Sequence, residues 1–505
     1  MPDDNAIAIS SGREPIGLFS RLVALPKETP WVEFKRNQAE PNVIGEYLSA
    51  LSNSAALDMK SHGYLVWGVE DGTHRVIGTT FRPTKEKRGG EDLIPWLTRG
   101  LSPKIDFAFD EFQVDGCHIV LLRIEAARMR PTQFDGDEWI RIESYNKRLK
   151  DFHDHERRLW RTFDSLAFES LAALSHLSDS DVLDLLDYES YFRLIEHRQP
   201  EDSGEILTQL RGAELVRWDI ADEWSVTNLG ALLIARDLAQ FPTLSRKAAR
   251  VVQYRDQLRL QALNEQVGRR GYANGFEGLY EYVMGLVPKT ETYDTGLRES
   301  RPKYPGLAVR ELLANMLVHQ DFSVPGSGPM VELFENRLEI TNPGIPLIDK
   351  TRFVDSPPLS RNEKLARALR QMGICEERGS GWDKIAVEVE VNQLPAPTIE
   401  TTDAHTRVAV YGYKAFQSLT RDEKVRAVYL HATLRYLRGE QTTNTSVRER
   451  FGLEAKQASA ASRLLAEAVE QGWLAPHDRD AGKRAMAYVP FWAGLSDGPS
   501  GWGPE

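Results

Sequence analysis

Between Trp31 and Val69 two short apolar runs, Trp31 to Phe34 and Tyr64 to Val69, predict strands. Between them Val43, Ile44, Tyr47, Leu48 and Leu51 recur at three- and four-residue spacing, which predicts a helix ending near Leu57. Strands at Phe112–Val114 and Ile119–Ile124 complete an α/β domain over 26–150, after a polar lead-in over 1–25 that reads as flexible. Residues 151–244 read as a helical, wing-bearing connector: strand Leu215–Trp218, a turn at Asp222, strand Trp224–Val226, then Thr227 capping a helix through Leu229, Leu232 and Leu233. Residues 245–415 return to α/β, from the strand Ala249–Tyr254 to the strand Thr406–Tyr413. Residues 416–492 read as three helices and a ribbon, a winged helix-turn-helix with Gly452 in the turn, and 493–505 as a disordered tail. The expected fold class is multidomain α+β.

Composition changes this picture in three ways. At 505 residues the chain is too long for one core, and 41% hydrophobic with 27% charged residues excludes global disorder. Two cysteines, Cys117 and Cys375, can build neither a disulfide framework nor a thiolate metal cluster, so a metal would have to sit on carboxylates. The net charge of −11 confines any nucleic-acid contact to local patches. One patch is 141–161, with Arg141, Lys147, Arg148, Lys150, Arg157, Arg158 and Arg161 among Glu143, Asp151, Asp154 and Glu156, a mixture equally compatible with a solvated helix. No apolar run reaches bilayer length, and the first residues lack the basic-then-apolar order of a secretory signal; the expectation is a cytoplasmic protein with no membrane partner. Association into a homo-oligomer is left open.

The segment 28-ETPWVEFKR-36, a helix ending near 53-NS-54, and 63-GYLVWGVEDG-72 followed by Ile77-Gly78 resemble the Schlafen-type AlbA-like domain in order and spacing. In its nuclease-active members three acids occupy this pattern, and the resemblance places them at Glu28, Glu33 and Asp71. It implies metal-dependent cleavage of RNA or DNA. Three converging carboxylates would repel one another unless Mg²⁺ or Mn²⁺, which prefer oxygen ligands, neutralised them. Lys35, two residues from Glu33, is the candidate for the scissile phosphate. The same residues also read without catalysis: Asp71-Gly72 between apolar strands is a hairpin signal, and Glu33 with Lys35 would make a solvated strand face.

In 307-LAVRELLANMLVHQDFS-323 a spacing of four stacks Glu311, Asn315 and His319 along one helix face. With 334-FENRLEITNPGIP-346, 360-SRNEKLARAL-369 and 373-GICEERGSGWDKI-385, it resembles the GHKL ATPase module in its RecG-like C-terminal variety. The resemblance implies ATP as ligand, Glu311 as general base, Asn315 as Mg²⁺ ligand and His319 lining the site. It also implies an adenine-reading turn at Asn342 and Gly344, and a phosphate loop at Gly379 and Gly381. Asn342 stands where the wider superfamily has Asp, so a neutral acceptor replaces a charged one. No G-x-x-x-x-G-K-[ST] phosphate loop occurs, which excludes a helicase motor.

In the carboxy-terminal segment Lys456, Gln457 and Arg463 lie near the start of the third helix, where phosphates and base edges would be met. Lys483 and Arg484 would stand on the wing. Two functions follow: a Schlafen-like nuclease or nucleic-acid-binding effector controlled by ATP, or a non-enzymatic, ATP-responsive transcriptional regulator. A protein-assembly hub is the remaining class.

Overall fold

The computed structural model describes residues 14–25, 29–165, 168–218, 223–294, 297–357, 359–376, 381–478 and 486–493. The chain divides into two compact units, one made of Met1–Val182 with Leu207–Asn228, the other of Leu183–Ile206 with Leu229–Glu505.

In the first unit, helix α1 (Glu14–Val23) precedes β1 (Val32–Lys35), α2 (Pro41–Leu57), β2 (His62–Trp67), α3 (Leu93–Gly100), β3 (Phe107–Val114) and β4 (Cys117–Glu125). The strands form a sheet in the order β1-β2-β4-β3, parallel only between β1 and β2. Both faces are covered, so alternate residues of one strand enter different cores. Tyr64 and Val66 of β2 join Val32, Phe34, Ile119 and Leu121 on one side. Leu65 and Trp67 join Leu48, Leu51, Val120 and Leu122 on the other.

Helix α2 opens on Pro41, whose missing N–H costs nothing in the first turn. It buries a polar row as well as its leucines. Ser49 and Asn53 donate to the Thr132 carbonyl at 2.6 and 2.9 Å, and Asn53 donates to the Trp139 carbonyl at 2.8 Å. In return Ser49 accepts from the Trp139 amide at 2.9 Å, Asn53 from the Thr132 amide at 2.7 Å, and Ser54 from the Arg141 amide at 3.1 Å. The helix therefore stands in for a neighbouring strand along β5 (Asp137–Ile142), which pairs on its other side with β6 (Tyr145–Arg148). Helix α4 (His153–Ser165) follows. A three-stranded sheet of β7 (Ala172–Leu177), β8 (Val216–Trp218) and β9 (Trp224–Thr227) completes the unit. Thr227, directly before the helix Asn228–Ile234, is buried, and its hydroxyl lies 2.9 and 3.0 Å from the carbonyls of Glu214 and Leu215, which ties the strand pair together.

The second unit carries β10 (Arg250–Tyr254), β11 (Ala262–Val267), α5 (Tyr272–Leu286), α6 (Gly306–Val318), β12 (Met330–Leu333), β13 (Arg337–Pro343), α7 (Glu363–Gln371), α8 (Gly381–Val391), β14 (Thr398–Thr401) and β15 (His405–Tyr411). Its six-stranded sheet runs β11-β10-β12-β13-β15-β14, parallel only between β10 and β12. Helix α6 buries Leu312, Leu313, Met316 and Leu317 and packs on α8 and β13. Then come α9 (Arg421–Leu437), α10 (Asn444–Arg450), α11 (Ala458–Glu470) and the two-stranded β16 (Leu474–Pro476) and β17 (Tyr488–Pro490). Reciprocal capping starts α9: Thr420 accepts from the Glu423 amide at 3.2 Å while Glu423 accepts from the Thr420 amide at 2.9 Å. No helix among the described residues is long and apolar enough to cross a membrane.

Candidate functional site

Of the three acids in the first unit, Glu33 and Asp71 lie among the described residues, one buried and the other exposed. Glu33 projects from β1, opposite the face that buries Val32 and Phe34, toward Tyr47 of α2, and is 1% exposed. Its oxygens are taken by the Lys35 ammonium, by the buried Arg141 guanidinium and by the Tyr47 hydroxyl at 3.2 Å. Arg141 is held in turn by the Ser144 carbonyl at 3.0 Å and Asn146 Oδ1 at 3.3 Å. Burial works against the charge of Lys35, but Glu33 outweighs it and holds the ammonium above the ordinary lysine value. Lys35 is thus paired with Glu33, its side chain partly exposed.

Asp71 is exposed in the tight turn that joins Val69 to Val76, with Gly72 at φ 77° and the Glu70 amide donating to the Arg75 carbonyl at 2.9 Å. Glu28 lies outside the described residues. Among the described residues no group of three or more His, Cys, Asp or Glu could hold a metal ion. Glu33 and Asp71 do not fit a shared cation, since one is already neutralised by two cationic side chains and the other lies out on a turn.

The patch 141–161 divides. Arg141 turns inward, while Lys147, Arg148, Lys150, Arg157, Arg158 and Arg161 are exposed on β6, the turn after it and α4. Tyr145 and Trp160, 65% and 42% exposed, lie among them. Cations interleaved with open rings are what a nucleic-acid backbone and its bases require.

In the second unit a cavity of about 910 Å³ gathers Glu311, Asn315 and His319 from α6 and its end, Asn342 from β13 and Gly381 from the start of α8. Glu311 is buried, with Lys384 Nζ at 3.4 Å from its carboxylate. Asn315 Nδ2 is buried and without a hydrogen-bond partner among the described residues. A Cβ on Gly381 would stand 3.1 Å from Glu311 Oε2 and 3.5 Å from Asn315 Nδ2, so the glycine keeps that space open. Asn342 Nδ2 donates to the His319 and Pro343 carbonyls at 3.3 and 3.2 Å, which leaves Oδ1 as an acceptor. Gly344 has φ 99°, and a Cβ there would meet Asp321 Cβ at 2.7 Å. Gly379 lies outside the described residues.

His319 is exposed to the cavity, with the protein atoms of its wall crowded around the ring. That desolvation, followed by the charge of Arg361, pushes its pKa down to about 4 and keeps the ring neutral. Burial and then Glu311 push the Cys375 thiol up to about 12. Sequence reasoning assigned no role to three arginines of the wall, Arg361, Arg367 and Arg370. Arg361 is oriented by Asp321 at 2.8 Å and the Ile345 carbonyl at 2.6 Å. For Arg367 and Arg370 no signal in the sequence could have served, because the spacing of apolar residues in α7 does not show which of its polar positions faces a cavity and which faces water.

In the carboxy-terminal segment Lys456 and Arg463 are exposed, with Lys456 paired to Glu454 at 2.7 Å. Gln457 is used locally, its Oε1 accepting from the Glu454 amide at 2.9 Å. Lys483 and Arg484 lie outside the described residues.

The architecture is that of a multidomain α+β protein. The family model described as "Schlafen, AlbA_2" matches residues 28–150, and the one described as "Putative ATP-dependent DNA helicase recG C-terminal" matches residues 326–410. The chain therefore has an AlbA-like domain and a partial HATPase-like region, whose matched span begins after α6. No curated protein matches the chain. Among solved structures it is similar to the DIP2311 protein from Corynebacterium diphtheriae, at 17% identity over 95% of this chain and 98% of that chain, with a TM-score of 0.41.

Proposed function

We propose that the chain is a nucleic-acid-binding regulator that takes up ATP in the cavity of the second unit and does not cleave its nucleic acid. The observation that carries the nucleotide half is the convergence of Glu311, Asn315, His319, Asn342 and Gly381 on one cavity. Asn342 Oδ1 suits an adenine amine, the arginines of the wall suit a polyphosphate, and the start of α8 adds its N-terminal partial charge. Asn315 and Glu311 offer oxygen atoms to a hydrated Mg²⁺. Bound ATP would supply a phosphoanhydride open to hydrolysis. Glu311, buried and next to Lys384, is the group placed to hold a proton taken from water.

The nucleic-acid half rests on the AlbA-like domain and on the exposed cations of β6 and α4. The commitment of Glu33 to Arg141 and Lys35 favours binding over cleavage. The carboxy-terminal helices and ribbon, read as a winged helix, supply a second reader through Arg463 and Lys456. This reader is tied to the nucleotide module: Tyr429 donates to the Thr351 carbonyl at 2.6 Å, and Arg450 Nε lies 2.6 Å from Glu390 of α8.

The test is titration of duplex DNA, single-stranded DNA and tRNA with and without ATP, with product lengths read in Mg²⁺, Mn²⁺ and EDTA. Binding that ATP alters, without cleavage, is expected. Metal-dependent cleavage that Asp71→Asn abolishes would replace this reading with the nuclease one.

A further inference from the structure

A second cavity, of about 340 Å³, lies within the second unit where the sheet module meets the carboxy-terminal helices. Its size is at the lower end of the roughly 300–1,000 Å³ usual for small-molecule sites. Two aromatic pairs line it: Phe353 with Trp382, ring centroids 5.0 Å apart, and Tyr429 with Trp473, 4.9 Å apart. The Tyr429 hydroxyl is already used, donating to the Thr351 carbonyl and accepting from Trp492 Nε1 at 3.1 Å, so the residue offers the cavity ring surface. Two cations, Lys350 and Arg426, complete the lining. Arg426 Nε is buried and has no hydrogen-bond partner among the described residues. The acid of the wall, Glu400, is exposed and accepts from Arg407 at 3.4 Å.

An apolar, ring-lined cavity with an unsatisfied guanidinium donor selects a ligand that is flat and acidic. Rings are favoured by aromatic walls, and a buried donor without an acceptor is relieved best by an anion. We propose that this cavity binds a small aromatic anion, its ring system against the two aromatic pairs and its acid on Arg426 with Lys350. Phe353 and Trp382 also line the cavity of Glu311 and Asn315, and Trp382 directly follows Gly381. The two cavities thus share a wall, and occupancy of either alters affinity at the other by the same factor. That coupling rests on the nucleotide reading; the aromatic-anion site does not.

The probe is indole-3-acetate, with indole as its uncharged counterpart, titrated into the full chain by calorimetry and thermal unfolding. Saturable binding of the acid is expected, roughly tenfold or more tighter than indole, as a hydrogen bond to a charged group gives. Arg426→Gln should remove the preference for the acid while ATP still binds, and Leu430→Trp, which fills the cavity, should remove binding of both the acid and indole. Failure of ATP to bind, with discrimination by Arg426 intact, would remove the coupling and leave the site standing. No saturable binding of indole-3-acetate at millimolar concentration, or equal affinity for acid and indole in the wild type, would overturn the proposal.

Discussion

Glu33 shows how far a residue's chemistry depends on a partner distant in the chain. As an acid in a known spacing it reads as a metal ligand; as the buried partner of Arg141, 108 positions away, it is part of the core. Removing one member of a buried ion pair strands the other, so Glu33→Ala should cost about 3–5 kcal/mol of stability, measured by urea unfolding. A metal ligand on the surface would leave stability unchanged on substitution. His319 gives a pH signature. Its pKa of about 4 in the folded chain lies below the ordinary histidine value of 6.5, so the unfolded chain takes up the proton first. The stability tied to its neutral ring is complete above pH 6.5 and is lost as the pH falls toward 4. Between those limits the wild type should lose more stability than His319→Gln; parallel losses would show that His319 is not the group titrating.

At the scale of elements, legibility followed burial on one face. Strands β2 and β4 and helices α2 and α6 were visible because their apolar residues recur with the period of the element. The polar row of α2 was not, because hydrogen bonds to β5 leave no period in the sequence. Asn53 makes three bonds with the backbone of Thr132 and Trp139, and Asn53→Leu should cost on the order of 3 kcal/mol through the groups it leaves unpaired. A loss below about 1 kcal/mol in an equilibrium urea experiment would mean that water or a rearrangement replaces them. Strand β11 went unread for the opposite reason. All six of its residues are exposed, so its pairing with β10 rests on backbone hydrogen bonds that any sequence can make.

At the scale of the whole molecule, an AlbA-like domain ahead of an HATPase-like region was legible in the motifs of the two segments. The connector read as one block over 151–244 is shared: Leu183–Ile206 packs with the second unit and Leu207–Asn228 with the first. Pairing between sequence-distant strands, such as β7 with β9, decides that division, and composition carries no trace of it. The nucleic-acid reading has its own signature at this scale. Replacing Lys147 and Arg158, both exposed, with alanine should weaken binding across all sequences and lower the salt slope by about one for each phosphate that is no longer neutralised. An unchanged slope would move the interface elsewhere. The central claim is the nucleotide cavity, and calorimetric titration of ATP with Mg²⁺ into wild type, Asn315→Ala and Gly381→Val tests it most directly. The account predicts one ATP per wild-type chain, affinity lowered at least about tenfold by Asn315→Ala, and none measurable once Gly381→Val fills the space beside Glu311. Wild-type protein that takes up no ATP at millimolar concentration, or variants that bind as the wild type does, would contradict it.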